Sequence, residues 1–170
     1  MCSRTILIGL GANLNSYFGT PKQTLEAVVE NFAANEIQLV ASSAWFGSTP
    51  VPKSDQPDFV NGVVQVKTAL NAHDLLARLH EIEATFGRQR RTVNEARCVD
   101  LDLLAYGAQV SDGSDGGPVL PHPRMHQRLF VLVPLAQILP EWRHPKLGKS
   151  AQALLTELDR TAAAIWQLPD

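Results

Sequence analysis

Two acidic side chains interrupt an otherwise apolar stretch near the middle of the chain. In the segment RCVDLDLLAYG, residues 97–107, Asp100 and Asp102 alternate with aliphatic residues. Alternate side chains of a β-strand share a face, so a strand here would place the two carboxylates side by side, with Cα atoms about 6.6 Å apart. Like-charge repulsion then raises one carboxyl pKa unless a cation lies between them. Mg²⁺ is the cation that such a pair favours, because it binds carboxylates, water and substrate phosphates. A strand face that simply meets solvent is the alternative.

Arginines are concentrated just before this strand, at positions 88, 90, 91 and 97. Compensation of the two acidic charges would by itself explain them. Arg also binds phosphate through two parallel hydrogen bonds, and an Arg-rich loop beside a Mg²⁺-binding pair suits triphosphate chemistry. The GKS at 148–150 is not a Walker A motif, because Arg143 stands where that motif needs glycine. A nucleotide would therefore bind without a P-loop.

Composition sets the protein class. The chain has 170 residues, 45% of them hydrophobic and 19% charged, which predicts one globular domain over 1–170. A net charge of -2 gives no global field for nucleic acid or an anionic membrane. No apolar run has the length of a membrane span and no secretory signal precedes the first predicted strand, so we expect a cytoplasmic protein. Cys2 and Cys98 lack metal-ligand spacing, and neither a disulfide nor a zinc site is expected.

The elements that must position the acids follow the order β, α, β, β, α, β. RTILIGLGANL is a strand ending in a tight turn, and Thr20 with Pro21 begins the first helix. IQLVASSAWF and DFVNGVVQVKTAL are strands, Asn71 caps the second helix, and CVDLDLLAY is the next strand. A third helix, a last helix and an edge strand within AAIWQL follow. This order is typical of a ferredoxin-like α+β sandwich, in which helices cover a mainly antiparallel sheet.

An ordered set of motifs resembles one enzyme family, the 6-hydroxymethyl-7,8-dihydropterin pyrophosphokinases of folate biosynthesis. The set is IGLGANL, STPV, DQPDFVN, IEATFGRQRR, RCVDLDLLAYG and LPHPRMHQRLFVLVPL, spread over roughly residues 5 to 140. The resemblance implies the ferredoxin-like fold and transfer of diphosphate from ATP to the pterin hydroxymethyl group, with release of AMP. It also implies a monomer that binds these small molecules and neither nucleic acid nor membrane.

The resemblance further implies site residues. Asp100 and Asp102 would bind two Mg²⁺ ions, and Arg88 and Arg97 would be the catalytic arginines. The remaining implied ATP-binding residues are His80, Glu83, Arg90, Leu103, His122 and Arg128. The implied pterin-binding residues are Thr49, Pro50, Val51, Pro52, Phe59, Asn61 and Phe130.

Several alternatives stay open from the sequence. His80 and Glu83 could belong to a solvated helix face, and Phe59 and Phe130 could be core aromatics. His126 matches no family residue and is expected on the surface. The chain also departs from the family pattern at Asn94, where a tryptophan is usual, at Pro123, where an aromatic residue is frequent, and at Gly116–Gly117, where an arginine is expected.

Two functional classes other than a diphosphotransferase share some of these sequence features. D-x-D also binds the metal-diphosphate of nucleotide-sugar glycosyltransferases, but the short chain and the lack of a Rossmann-like alternation speak against that class. A non-catalytic ferredoxin-like binding module leaves the paired acids and clustered arginines unexplained. Release of AMP from ATP distinguishes the three.

Overall fold

The computed structural model describes residues 4–87, 98–161 and 163–170. Within these ranges the main sheet comprises β1 (Ile6–Ala12), β2 (Gln38–Ser42), β3 (Phe46–Ser48), β4 (Phe59–Lys67), β5 (Asp100–Tyr106) and β8 (Ile165–Gln167). A second, two-stranded sheet comprises β6 (Ser111–Asp112) and β7 (Val119–Leu120). The helices are α1 (Pro21–Asn31), α2 (Ala72–Thr85), α3 (Leu129–Ile138) and α4 (Ala151–Glu157), with short 3₁₀ turns at Ala33–Asn35 and Met125–Gln127.

The main sheet runs in the order β5, β1, β4, β3, β8, and each strand pair in it is antiparallel. β2 pairs with the far end of β4, in the register Gln38↔Lys67. The predicted α+β, ferredoxin-like order is confirmed. The stretch IQLVASSAWF differs from the prediction, because it forms two strands rather than one, and these share β4 as their partner. The β6–β7 hairpin was not predicted.

The helices begin where local chemistry starts them. Thr20 accepts a hydrogen bond from the Gln23 N–H, and the Gln23 side chain accepts one from the Thr20 N–H, so α1 has a complete capping box with Pro21 in its first turn. The Asn71 side chain accepts from the Asp74 N–H at 2.9 Å and caps α2 in the same way.

Each face of the sheet is covered by its own helix pair. Ile8, Leu10 and Leu103 pack with α1 and α2 in the larger core. Leu7, Val63 and Leu104 pack with α3 in a second core. Since side chains alternate along a strand, Asp100 and Asp102 share the α3 face. Among the helices in the described ranges, none combines the length and apolar character needed to cross a membrane.

Candidate active site

The candidate site is organised around one row of residues across the sheet. Gly11 of β1 pairs with Asn61 of β4 on one side and with Asp100 of β5 on the other. Directly paired residues of antiparallel strands project from the same face. The row therefore places the predicted pterin amide and the first predicted metal carboxylate on one face, with Cα atoms two strand spacings, roughly 10 Å, apart.

Glycine keeps the centre of this row open. Among the described residues, a Cβ atom on Gly11 would meet only the Asn61 Oδ1 at 3.5 Å and the Val60 carbonyl oxygen at 4.0 Å. In the next row Gly9 stands opposite Asp102. The floor between Asn61 and Asp100 is thus backbone at Gly11, whereas a Cβ atom on Gly9, beside Asp102, would meet the Leu104 side chain at 3.4 Å. A flat ligand can lie close to the sheet at Gly11.

Asp102 faces a cation from the segment that leads into α3. The Arg128 Nη1 lies 3.7 Å from the Asp102 Oδ2, and the two side chains retain 21% and 32% of their exposure. The same guanidinium carbon lies 5.3 Å from the centre of the Phe130 ring, within cation–π range. Asp100 and Asp102 are both half-buried, as the alternating burial of β5 requires. The site is therefore acidic at the sheet and basic on the opposing segment.

His122 joins this segment to β5. Its backbone N–H donates to the Leu104 carbonyl at 2.8 Å, and its Nδ1 accepts from the Arg124 N–H at 3.2 Å. Burial, reinforced by the positive charges of Arg128 and Arg124, lowers the His122 pKa to about 4. The imidazole is thus neutral near pH 7, and because Nδ1 is an acceptor the proton sits on Nε2. That Nε2–H is a neutral donor suited to a phosphate oxygen.

Glu83 supports the acid-bearing strand from beneath. Its side chain is 2% exposed, and the Oε1 accepts from the Leu101 N–H at 2.7 Å. The alternative of a solvated helix face is wrong for Glu83. The structure instead places this predicted ATP-binding residue against the strand segment between the two acids. His80, one turn earlier on α2, is exposed.

Leu103 cannot meet a nucleotide through its side chain. The side chain is 4% exposed and belongs to the core between the sheet and α2. Any contribution of Leu103 to ATP binding would have to come from its backbone.

The predicted pterin amide is buried and oriented. Asn61 is 4% exposed, and its Nδ2 donates to the Ser48 Oγ at 2.8 Å and lies 3.5 Å from the Phe46 carbonyl oxygen. With the nitrogen directed at β3, the oxygen is directed at Gly11 and the open row. Phe59 and Phe130 are both half-buried, so neither is a fully enclosed core aromatic.

The loop after β3 begins at Thr49, and its predicted pterin-binding role stays a prediction. The Thr49 N–H donates to the Ala164 carbonyl near the C-terminus, and the Thr49 hydroxyl accepts from the Ala164 N–H. Pro50 is buried, whereas Val51 and Pro52 are exposed and joined by a cis peptide bond. At the far end of this loop the Asn13 side-chain amide donates to the Gln56 side chain and the Pro57 carbonyl. Sequence reasoning missed Asn13, although its position directly after the glycine-bearing strand was a usable signal.

Some predicted residues lie outside the described ranges. These are Arg88, Arg90, Arg91 and Arg97, together with the family departure at Asn94. Their predicted roles stay predictions. The other departures are placed: Pro123 is exposed, and Gly116 and Gly117 belong to the turn between β6 and β7.

The acids fit a hard divalent cation by donor chemistry. Both are half-buried carboxylates on one strand face, and carboxylate oxygens are ligands that Mg²⁺ prefers. Within the part of the chain that the structure describes, no cluster of three or more His, Cys, Asp or Glu side chains could hold a metal ion. Beside one or two carboxylates, Mg²⁺ commonly takes water and substrate phosphates as its further ligands.

His126 is not the surface residue that was expected. It is half-buried, its ring centre lies 5.6 Å from that of His144, and its Nδ1 is enclosed. The ring therefore fastens the 3₁₀ turn between His122 and Arg128 to the loop that precedes α4.

Comparisons with known proteins bear on this arrangement. The 7,8-dihydro-6-hydroxymethylpterin-pyrophosphokinase (HPPK) family matches residues 7–140. The chain belongs to this family. A 2-amino-4-hydroxy-6-hydroxymethyldihydropteridine pyrophosphokinase of Synechocystis is 35% identical over 161 residues, covering 94% of this chain and 78% of the relative. The pyrophosphokinase of the same name from Methylorubrum extorquens is 43% identical over 136 residues, covering 79% of this chain and 82% of the relative.

A solved structure gives the same fold for this HPPK chain. The Plasmodium falciparum HPPK-DHPS crystal structure with pteroate superposes with a TM-score of 0.71 over 91% of the chain. At 12% sequence identity this likeness concerns the fold alone. The chain spans 44% of the length of that HPPK-DHPS chain.

Proposed function

We propose that this pyrophosphokinase transfers the terminal diphosphate of ATP to the hydroxymethyl oxygen of 6-hydroxymethyl-7,8-dihydropterin, in folate biosynthesis. The new bond joins the pterin oxygen to the β-phosphorus, the bond from the β-phosphorus to the α–β bridging oxygen breaks, and AMP leaves. The hydroxyl proton is released. Family membership and the names of the relatives support the reaction.

The row Asn61–Gly11–Asp100 is the observation that carries this assignment to particular residues. A reaction between two bound molecules needs both reacting atoms held close together and aligned. The row supports a pterin site at the Asn61 side and a phosphate site at the Asp100 side of a single trough. The reacting hydroxymethyl group would then lie over Gly11, between them.

On the phosphate side, Asp100 and Asp102 would hold the two Mg²⁺ ions. Bound Mg²⁺ would neutralise phosphate charge and lower the cost of charge build-up in transfer. Arg128 lies close enough to Asp102 to reach the same phosphates, and its guanidinium can exchange the carboxylate for a phosphate oxygen. The His122 Nε2–H would donate to the phosphate without adding charge.

On the pterin side, recognition would rest on neutral groups. The Asn61 Oδ1 can accept an N–H from the heterocycle edge, and the backbone of Thr49–Pro52 supplies further polar groups. Phe59 and Phe130 offer half-buried faces for stacking on the bicycle. Arg88, Arg90 and Arg97 would complete the ATP site, as the family motif implies.

We also propose that the enzyme works as a cytoplasmic monomer, folded as one domain over residues 1–170. The D-x-D glycosyltransferase alternative is disfavoured by the antiparallel sheet, which offers no Rossmann-like crevice.

The test is product identity. The purified chain is incubated with ATP, Mg²⁺ and the pterin alcohol. The nucleotides and pterins are then separated, identified and quantified by mass spectrometry. We expect AMP and a pterin carrying two phosphates in equal amounts, and no AMP when the alcohol is omitted. ADP with a pterin monophosphate, or AMP formed equally without the alcohol, would refute the assignment.

A further inference from the structure

The last strand of the sheet, β8, lies beyond the residues that the family match covers. It pairs antiparallel with β3 in the register Phe46↔Gln167, Gly47↔Trp166 and Ser48↔Ile165. The flanking backbone continues this attachment, because the Leu168 N–H donates to the Trp45 carbonyl at 2.9 Å. β3 is only three residues long, so β8 covers it completely on the edge away from β4.

Trp166 locks this pairing through contact with Gly47. A Cβ atom on Gly47 would lie 2.3 Å from Cε2 of the Trp166 indole and 2.5 Å from two further ring atoms. Real Cβ atoms essentially never come that close, so the ring rests on bare backbone. The tryptophan is 40% exposed, so one side of the indole contacts β3 and the other meets solvent. A side chain at position 47 would push the indole away.

The attachment extends into the predicted pterin-binding loop. Thr49 donates its N–H to the Ala164 carbonyl at 3.1 Å, and its Oγ1 accepts the Ala164 N–H at 3.1 Å. Next to it, the Ser48 hydroxyl accepts from the amide of Asn61. The backbone that orients Asn61 and the backbone that begins the loop are therefore both tied to residues 163–170, which we term the C-terminal brace.

Beyond Pro50, the first half of the loop lies at the surface. Of residues 51–55, all are exposed, and loops without apolar burial are easily opened. Its second half is anchored separately, by the side chain of Asn13 on Gln56 and Pro57. Release of the brace would consequently free the Thr49 end while leaving the Asn13 end in place.

We propose that the C-terminal brace is a positioning element of the pterin pocket, with Trp166 as its principal positioning residue. The inference rests on the proposed function, since it takes Thr49–Pro52 and Asn61 as the pterin side. The brace lies at the opposite edge of the main sheet from β5, the strand that carries the two acids. Its loss should therefore weaken use of the pterin alcohol selectively and spare ATP.

Trp166→Ala is the primary test. We expect the KM for the pterin alcohol to rise about tenfold, with kcat and the KM for ATP within about twofold of wild type. Trp166→Phe, which keeps a flat ring over Gly47, should restore most of the loss. The matched control is Leu39→Ala. Leu39 lies on β2 at the other end of β4, and its exposure of 41% is close to the 40% of Trp166. This variant should leave both KM values unchanged.

Gly47→Ala supplies a second, independent test, because its effect on the pterin KM should not add to that of Trp166→Ala. Alone, it should displace the indole and raise the pterin KM. Combined with Trp166→Ala it should add little, because the atoms it collides with are gone. Ala164→Pro, which deletes the N–H that Thr49 accepts, should raise the pterin KM even if Trp166→Ala proves too unstable to assay.

The outcomes separate the two proposals. If the wild-type chain forms no AMP with ATP and pterin alcohol, the proposed function fails. If wild type is active but the Trp166 and Ala164 variants leave the pterin KM unchanged, or raise both KM values equally, the positioning role is wrong and the brace only stabilises the fold.

Discussion

The proposed pterin side and the proposed phosphate side of the candidate site are built in different ways. On the pterin side, Asn61 and Ser48 are 4% and 3% exposed, neutral, and hydrogen-bonded to each other between two strands. On the phosphate side, Asp102 and Arg128 are partly exposed and meet at 3.7 Å. Partly exposed ion pairs contribute at most about 1 kcal/mol, so the second arrangement is easily exchanged. Under the proposed assignment, fixed dipoles would meet the flat neutral ligand, and charges that can change partners would meet the highly charged one.

The largest effect is expected from removing either acid. Asp100→Ala or Asp102→Ala should reduce transfer by more than a hundredfold, because the remaining carboxylate cannot align the triphosphate alone. Both side chains are half-buried on the cleft face, so circular dichroism and the thermal midpoint should stay close to wild type. The double variant should be scarcely worse than either single, as expected for groups acting as a unit. Activity within about tenfold of wild type, roughly 1.4 kcal/mol of barrier, would contradict the assignment.

The two acids and their common face could be predicted from the sequence, because the alternation of side chains along a strand depends only on neighbouring residues. The sequence could not predict the row that joins Asp100 to Asn61, since the row depends on the register of two strand pairings, Gly11 with Asn61 and Gly11 with Asp100, between segments far apart in the sequence. The Thr49–Ala164 contact is of the same kind. Burial of Glu83 was within reach of the sequence: it stands four residues after Leu79 and one after Ile82, on the apolar stripe of α2.

On the pterin side, truncation of the amide should cost affinity rather than rate. Asn61→Ala is expected to raise the KM for the pterin alcohol about tenfold or more, since an unpaired polar partner costs about 1–3 kcal/mol. ATP binding should be little changed. Ser48→Ala, which removes the hydroxyl that orients the amide but leaves the amide in place, should have a smaller effect of the same sign. Unchanged pterin affinity in Asn61→Ala would move the pocket elsewhere.

Acid should weaken the fold through the phosphate side. Burial lowers the pKa of His122 from 6.5 to about 4 in the folded chain, so between these pH values the unfolded chain binds more protons. Stability must then fall as pH falls through that window. Thermal midpoints of wild type and His122→Phe, measured from pH 7.5 to 4.5, should show a steeper acid decline for wild type. Parallel declines would mean that His122 is not held neutral. His144, whose pKa burial also lowers, titrates in both proteins and cancels.

The two-sided construction is tested most directly by single-turnover transfer at saturating ATP and pterin alcohol, with Asp102→Asn and Asn61→Ala measured side by side. Saturation removes differences in affinity and leaves the transfer step itself. Asp102→Asn, which keeps the shape of the side chain and removes its charge, should lose at least a hundredfold in rate. Asn61→Ala should stay within about threefold of wild type. Equal losses in the two variants, or the larger loss in Asn61→Ala, would contradict a fixed pterin side working beside a charged phosphate side.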